Sequence, residues 1–321
     1  MSPVELARPH IAAAARLLLI SHKRPDGDAL GSLLGLGHAL RESGKTVTVL
    51  NVDGCPAALR FLPGSAAIVH KWNSASPPPD LLITLDTSEL NRLGPIHATL
   101  PRPVDINVDH HVSNTYFGAI NIVQPEYASA AELVLELLDA WGLPLSQPTA
   151  VCLLTGILTD TLGFRIPNTG AATLQRAMRL MAAGASLPDL LRQSLHVRSF
   201  AAARLWGAGL SRLQLDQEIV YTSLRISDKY AIHYEGNDDG DLINLLSTIE
   251  QGKIAVIFVE LSPALTKVSW RAVPGVDLVP LAQQFGGGGH PAACGAEVAG
   301  TLEEVQTKVI AATQSHLARK V

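Results

Sequence analysis

Cysteine is scarce: Cys55, Cys152 and Cys294 are the only three in 321 residues. Their number is odd and no Cys-x-x-Cys pair occurs. That excludes a disulfide framework and a thiolate zinc site, and it points to a reducing compartment. Each thiol reads as a small core hydrophobe. Positive charge is not in excess either. A formal net charge of −4 argues against a broad electrostatic footprint for long duplex DNA or RNA, although a local positive pocket can still take a small anion. No run of 18 residues is apolar and free of charge or proline. The apolar stretch 11–20 reaches Ser21 and His22 too soon to span a bilayer. The opening residues lack the basic, apolar and small-residue succession of an export signal. The expectation is a cytoplasmic protein with no membrane partner. Fixed-period repeats and low-complexity tails are also missing.

What is present is globular in kind. The chain is 47% hydrophobic and 17% charged, and it is long enough for two domains rather than one. In the first half, short β-like runs alternate with helical ones. Residues 17–20, 46–51, 80–85 and 104–108 read as strands. Residues 29–43, ended by Gly44, and 128–141, ended by Gly142, read as helices. The apolar run 149–159 fits either state. This alternation predicts an α/β fold with a mainly parallel sheet flanked by helices on both faces. Residues 169–184 and 187–213 read as helical. A smaller C-terminal α/β domain then follows, with strands at 218–226, 254–261, 267–273 and 292–298 and helices at 278–285 and 301–319. The expected division is 1–186, a helical linker over 187–215, and 216–321.

Acidic and imidazole groups stand just after the expected strands, where open α/β sheets bind ligands. The first set is His22-Lys-Arg-Pro-Asp26-Gly-Asp28. Carboxylates with an imidazole suit Mn²⁺ or Mg²⁺, although Asp28 could instead cap the helix that follows. The second is Asp86, at the end of an apolar run. The third is Asp109-His110-His111. Successive side chains diverge, so the two histidines take different jobs, and Asp109 can orient an imidazole. The fourth is Asp160, which ends a thoroughly apolar run where an unpaired carboxylate is costly. Arg165, five residues on, is a candidate ion-pair partner. A fifth feature lies far away, Phe285-Gly-Gly-Gly-Gly-His290. Such a run lets backbone N–H groups approach an anion. It is no Walker loop, because no Lys-Ser/Thr follows. Taken together, these groups match what a pair of bridged metal ions needs for attack at phosphorus.

In order and spacing, His22-x3-Asp26-x-Asp28, Asp86, Asp109-His110-His111 and Asp160 resemble the four motifs of the DHH phosphoesterase superfamily. The run from Gly286 to His290 resembles the glycine motif of the DHHA1 domain. The resemblance covers nearly the whole chain and is strongest to the stand-alone NrnA-type branch of oligoribonucleases and pAp (3′-phosphoadenosine 5′-phosphate) phosphatases. It implies one metal ion held by His22, Asp26 and Asp86. A second would be held by Asp28, Asp86, His110 and Asp160, with Asp86 bridging. His111 would face the scissile phosphate or its leaving group, with Asp109 behind it. Arg271, Gly287, Gly288, Gly289 and His290 would hold the distal part of the substrate, and Arg165 is a further candidate substrate contact. Mn²⁺ is the implied metal, with Mg²⁺ and Co²⁺ as alternatives, and a homodimer is the family habit. Two departures bear on substrate choice. Trp270 stands beside Arg271, where it could stack on a base or fill the core, and Cys294 follows the glycine run.

The expected function is hydrolysis of short oligoribonucleotides or pAp by metal-activated water. Linear or cyclic dinucleotides are the nearest alternative substrates. A nucleotide-binding module without turnover is the rival from another class. Retention of every candidate ligand speaks against that rival.

Overall fold

The computed structural model describes residues 1–234 and 241–318. Its contacts divide into two compact units, Met1–Val197 and Arg198–Val321.

In the first unit, helix α1 (Pro3–Ala13) precedes β1 (Arg16–Ser21), α2 (Gly27–Glu42) and β2 (Thr46–Leu50). Then come β3 (Leu81–Leu85), β4 (Ile106–Asp109) and β5 (Ile120–Val123), followed by α3 (Ala130–Trp141), α4 (Gln147–Asp160), α5 (Ala171–Ala182) and the short α6 (Leu187–Leu191). The five strands are all parallel, in the order β2-β1-β3-β4-β5. Strands β1 and β3 are buried on both faces, which is why they read as unbroken aliphatic runs rather than alternating ones. One face packs its Leu17, Leu19, Ile83 and Val108 against α1 to α5. The other packs Leu18, Ile20 and Leu82 against a 3₁₀ segment (Leu90–Thr99) and its flanks.

Helix α2 lies between the sheet and α4, and small residues set that approach. A Cβ at Gly31 would sit 2.5 Å from the Cys152 carbonyl oxygen, and one at Gly156 would sit 2.6 Å from the Ala131 Cβ and 2.8 Å from the Asp28 carboxylate. These two glycines let three helices meet where the acidic groups gather.

The ambiguous run 149–159 is helical. It is buried on nearly every side, so no polar stripe marks its period, but Ser146 caps it by accepting from the Thr149 N–H. Asp160 therefore projects from a helix C-terminus and not from a strand end. The helical stretch expected over 187–213 is broken. A π-type turn (Arg192–His196) follows α6, and α7 (Phe200–Leu210) starts afresh with Ser199 as its cap. Helix α1 and strand β5 were not anticipated.

The second unit opens with α7 and continues with β6 (Gln214–Asp216), β7 (Ile219–Leu224), α8 (Ile226–Ile232) and α9 (Leu242–Leu246). Strands β8 (Ile254–Ser262) and β9 (Leu265–Ala272), helix α10 (Val279–Gln283), strands β10 (Gly288–His290) and β11 (Ala293–Ala299) and helix α11 (Leu302–Ala318) complete it. Residue 319, the expected end of the last helix, lies outside the described residues. The six-stranded sheet runs β10-β11-β9-β8-β7-β6 and is antiparallel except for β7 with β8. Trp270 is fully buried beneath this sheet with Phe258 and Leu281, so it belongs to the core and offers no stacking surface for a base.

Candidate metal centre

The site forms at the carboxyl ends of β1, β3 and β4, beside the point where the strand order reverses between β1 and β3. His22 follows β1 directly. Asp26 is the cap of α2: its Oδ1 accepts from the N–H groups of Asp28 at 3.1 Å and Ala29 at 3.0 Å. Asp28 does not cap its own helix. Its carboxylate crosses to α3, where Oδ2 accepts from Ala130 N–H at 2.6 Å and Oδ1 from Ala131 N–H at 2.9 Å.

Asp86 follows β3 directly with φ at 52°, in the left-handed region that a residue with a Cβ rarely adopts. Holding it there costs on the order of 1 kcal/mol. Its N–H is anchored to the Val108 carbonyl at 2.9 Å, so the strained turn is fixed by the sheet. Its side chain stands between two histidines. Asp86 Oδ2 lies 3.4 Å from His22 Nε2, and Oδ1 lies 3.6 Å from His110 Nε2. His22 Nε2 is also 3.9 Å from Asp26. His110 Nε2 is 3.8 Å from Asp28 Oδ2 and 3.4 Å from Asp160 Oδ2. Among the groups whose ligand atoms lie within 4.8 Å of one another are His22-Asp26-Asp86 and Asp28-His110-Asp160, and Asp86 also belongs to a third with Asp109 and His111.

Both imidazoles are turned so that Nε2 faces carboxylates. His22 Nδ1 lies 2.8 Å from the Lys23 carbonyl, and His110 Nδ1 lies 3.3 Å from the Tyr127 carbonyl. A carbonyl can only accept, so each Nδ1 offers it a proton, and each Nε2 is the nitrogen left facing carboxylates, with a lone pair whenever the ring is neutral. A lone pair aimed at carboxylate oxygens is repulsive unless a proton or a metal ion sits between them. At His110, burial holds the ring below its ordinary range, which disfavours the proton. Asp86 Oδ1 is buried and has no hydrogen-bond partner. A buried carboxylate oxygen with no hydrogen bond, 3.6 Å from both His110 Nε2 and His111 Nδ1, is placed to take a bound cation. The donor set therefore fits divalent ions.

The electrostatics agree. Burial, then the Asp86, Asp160 and Asp26 carboxylates, push Asp28 well above the usual carboxyl range. Burial, then Asp26 and Asp86, do the same to Asp160. Burial would also raise Asp86, but His22, His111 and His110 outweigh it and hold that carboxyl low. Burial opposes protonation of His111, yet its bond to Asp109 and the charge of Asp86 push it up to about 9.

His111 is tied to Asp109 at 2.7 Å through Nδ1. Asp109 in turn accepts from Asn114 Nδ2 at 2.6 Å. The Asn114 amide also reaches Asn107 Oδ1 at 2.8 Å, and Asn107 donates to Thr84 Oγ1 at 2.9 Å. This buried polar layer beneath the histidines was missed from sequence. Asn114 stands three residues after His111 and invites notice, but nothing local says that it bonds Asp109.

Arg165 is exposed, its Nε donates to the Leu162 carbonyl at 2.8 Å, and no ion pair with Asp160 occurs among the described residues. Arg271, Gly287, Gly288, Gly289 and His290 belong to the second unit. The glycine run is not a loose loop. It enters strand β10, and a Cβ at Gly289, where φ is 145°, would meet the Ala293 carbonyl oxygen at 2.3 Å. Arg271 and His290 both pair with Ala293 from opposite sides, so they occupy one rank of the sheet and share a face.

A parallel α/β unit with an Asp/His cluster at its switch point defines a metal-binding hydrolase class. Residues 16–157 match the DHH family, N-terminal domain, and residues 221–317 match the DHHA1 domain. The "Bifunctional oligoribonuclease and PAP phosphatase NrnA" of Thermus thermophilus is 32% identical over 96% of this chain and 92% of that protein. The protein of the same name from Bacillus subtilis is 27% identical over 88% of this chain and 89% of that one. The crystal structure of an exopolyphosphatase-related protein from Bacteroides fragilis superposes with a TM-score of 0.88 at 28% identity, covering 99% of this chain and 96% of that one. The chain belongs to the DHH family of phosphoesterases and carries the DHHA1 domain. Phosphoesterases of this family are metal-dependent, and this chain holds acidic and imidazole groups suited to metal. No helix among the described residues is long and apolar enough to cross a membrane.

Proposed function

We propose that this phosphoesterase hydrolyses short oligoribonucleotides and pAp with two Mn²⁺ ions. The observation that carries the reading is Asp86, whose two oxygens face two separate imidazole–carboxylate groups and one of which is buried without a partner. His22, Asp26 and Asp86 would hold one ion. Asp28, His110 and Asp160 would hold the other, with Asp86 shared. When bound, the ions would supply an activated water and offset charge on phosphorus.

The chain's own residues do the remainder. Asp109 holds His111 in one orientation, and the far nitrogen of that ring hands a proton to the departing sugar oxygen. In the second unit, Arg271, the glycine strand and His290 bind the remainder of the nucleotide. Their shared sheet face supports that role. Arg165, which is exposed, would also contact substrate. Residues 1–186 would then carry catalysis and 216–321 recognition, with 187–215 as the link. The substrate class is supported by the activities for which the Thermus thermophilus and Bacillus subtilis relatives are named.

The test is product release from pAp and from 5′-labelled RNA of two to five nucleotides, with Mn²⁺ and with chelator. Mn²⁺-dependent turnover, lost with Asp86→Ala, is expected. No turnover of either substrate by metal-loaded protein would overturn the assignment and favour cyclic dinucleotides or a binding module.

A further inference from the structure

The start of α3 touches both flanks of one candidate metal group. The N–H groups of Ala130 and Ala131 hold the Asp28 carboxylate, and the carbonyl of Tyr127 holds His110 Nδ1. Five consecutive residues therefore set the separation of two ligands that come from α2 and from the end of β4.

That turn is itself gripped from α5. The guanidinium of Arg176 lies 4.5 Å over the Tyr127 ring. Its Nη1 is 3.3 Å from Glu132 Oε2, and its Nε donates to Glu136 Oε1 at 2.8 Å. Glu132 is 1% exposed, sits in the first turn of α3, and its Oε2 is 3.4 Å from the Ala128 N–H. Arg176 thus neutralises a buried carboxylate at the head of α3 and clamps the ring of the residue whose carbonyl orients His110. Its contacts are with Tyr127, Glu132 and Glu136, so it acts through them.

We propose that Arg176 is a positioning residue for the Asp28-His110-Asp160 group, acting through Tyr127 and Glu132. The inference rests on the two-ion reading above. Groups that orient a ligand from behind typically change metal affinity or activity 10- to 100-fold when removed. The effect here is selective, because nothing in the relay touches His22 or Asp26.

The experiment is calorimetric titration of the full chain with Mn²⁺. Arg176→Ala alone would strand the buried Glu132 charge, so the variant is Arg176→Ala/Glu132→Gln, with circular dichroism to verify folding. Wild type is expected to take up two ions. The double variant should keep one affinity unchanged and lose about 10- to 100-fold at the other. Tyr127→Ala, which leaves the Arg176–Glu132 pair in place, should show the same selective loss and serves if the double variant does not fold. Glu136→Gln should match wild type. Two unchanged affinities, or equal loss at both sites, would overturn the role of Arg176. Fewer than two ions on wild type would overturn the two-ion reading itself.

Discussion

Asp160→Asn should make the metal-free protein more stable and its chemistry far worse. Asp160 is the last helical residue of α4, so its charge opposes the negative end of the helix dipole, a penalty of about 0.3–1 kcal/mol. Its side chain is 26% exposed and faces His110, whose ring burial makes harder to protonate, so the contact offsets little of that charge. Burial and the nearby carboxylates add a further destabilising contribution. Removing the charge while keeping the shape should stabilise by about 1–2 kcal/mol, the size of a good single substitution. For a unit of this length that is a rise in Tm of about 2–4 °C per kcal/mol. The pH dependence has a definite sign. A carboxyl whose folded pKa is raised contributes stability below its unfolded pKa, near 4, and loses it as pH rises through the folded value. The advantage of the Asn variant should therefore be absent at about pH 4 and grow towards pH 8. The assay is thermal unfolding by circular dichroism in chelator at both pH values. With Mn²⁺ the order should reverse, because wild type binds the ion more tightly. An Asn variant that melts at or below wild type in chelator at pH 8 would refute the electrostatic account.

Asp86→Ala should lower kcat for pAp by about 10³-fold or more, since it would remove the ligand proposed to be shared, and single-turnover phosphate release measures this. Asn114→Ala should reduce kcat about 10- to 100-fold by freeing Asp109 and His111, while calorimetry still counts two Mn²⁺ ions. Trp270→Ala should destabilise the second unit by about 3–5 kcal/mol, whereas Trp270→Phe should cost little, because its Nε1 has no hydrogen-bond partner; urea unfolding followed by fluorescence of the remaining tryptophans distinguishes them.

Much of this arrangement was legible in the amino-acid sequence, and for physical reasons. Strands β1 and β3 are buried on both faces, so Leu17 to Ile20 and Leu81 to Leu85 stand out as aliphatic runs. Functional polar groups then interrupt those runs abruptly, which exposes Asp86 and the Asp109-His110-His111 cluster. Run 149–159 was undecided because a helix enclosed on all sides has no amphipathic stripe. Ser146 and Pro148 at its start were the usable signal. Strand β5 has four residues, too few for a period to register. The burial of Trp270 follows from parity: Lys267, Ser269 and Arg271 alternate with Val268 and Trp270, which face inward. What could not be read is the support behind the ligands. The bond of Asp28 to α3 spans 102 residues, and the Asn107–Asn114–Asp109 layer exists only once β4 is placed.

The central claim is that Asp86 lies between two metal ions. Anomalous diffraction at the manganese edge from crystals grown with Mn²⁺ tests it most directly. The account predicts two peaks flanking the Asp86 carboxylate, about 3.5–4 Å apart, one beside His22 and one beside His110. A single peak, or peaks away from Asp86, would contradict it.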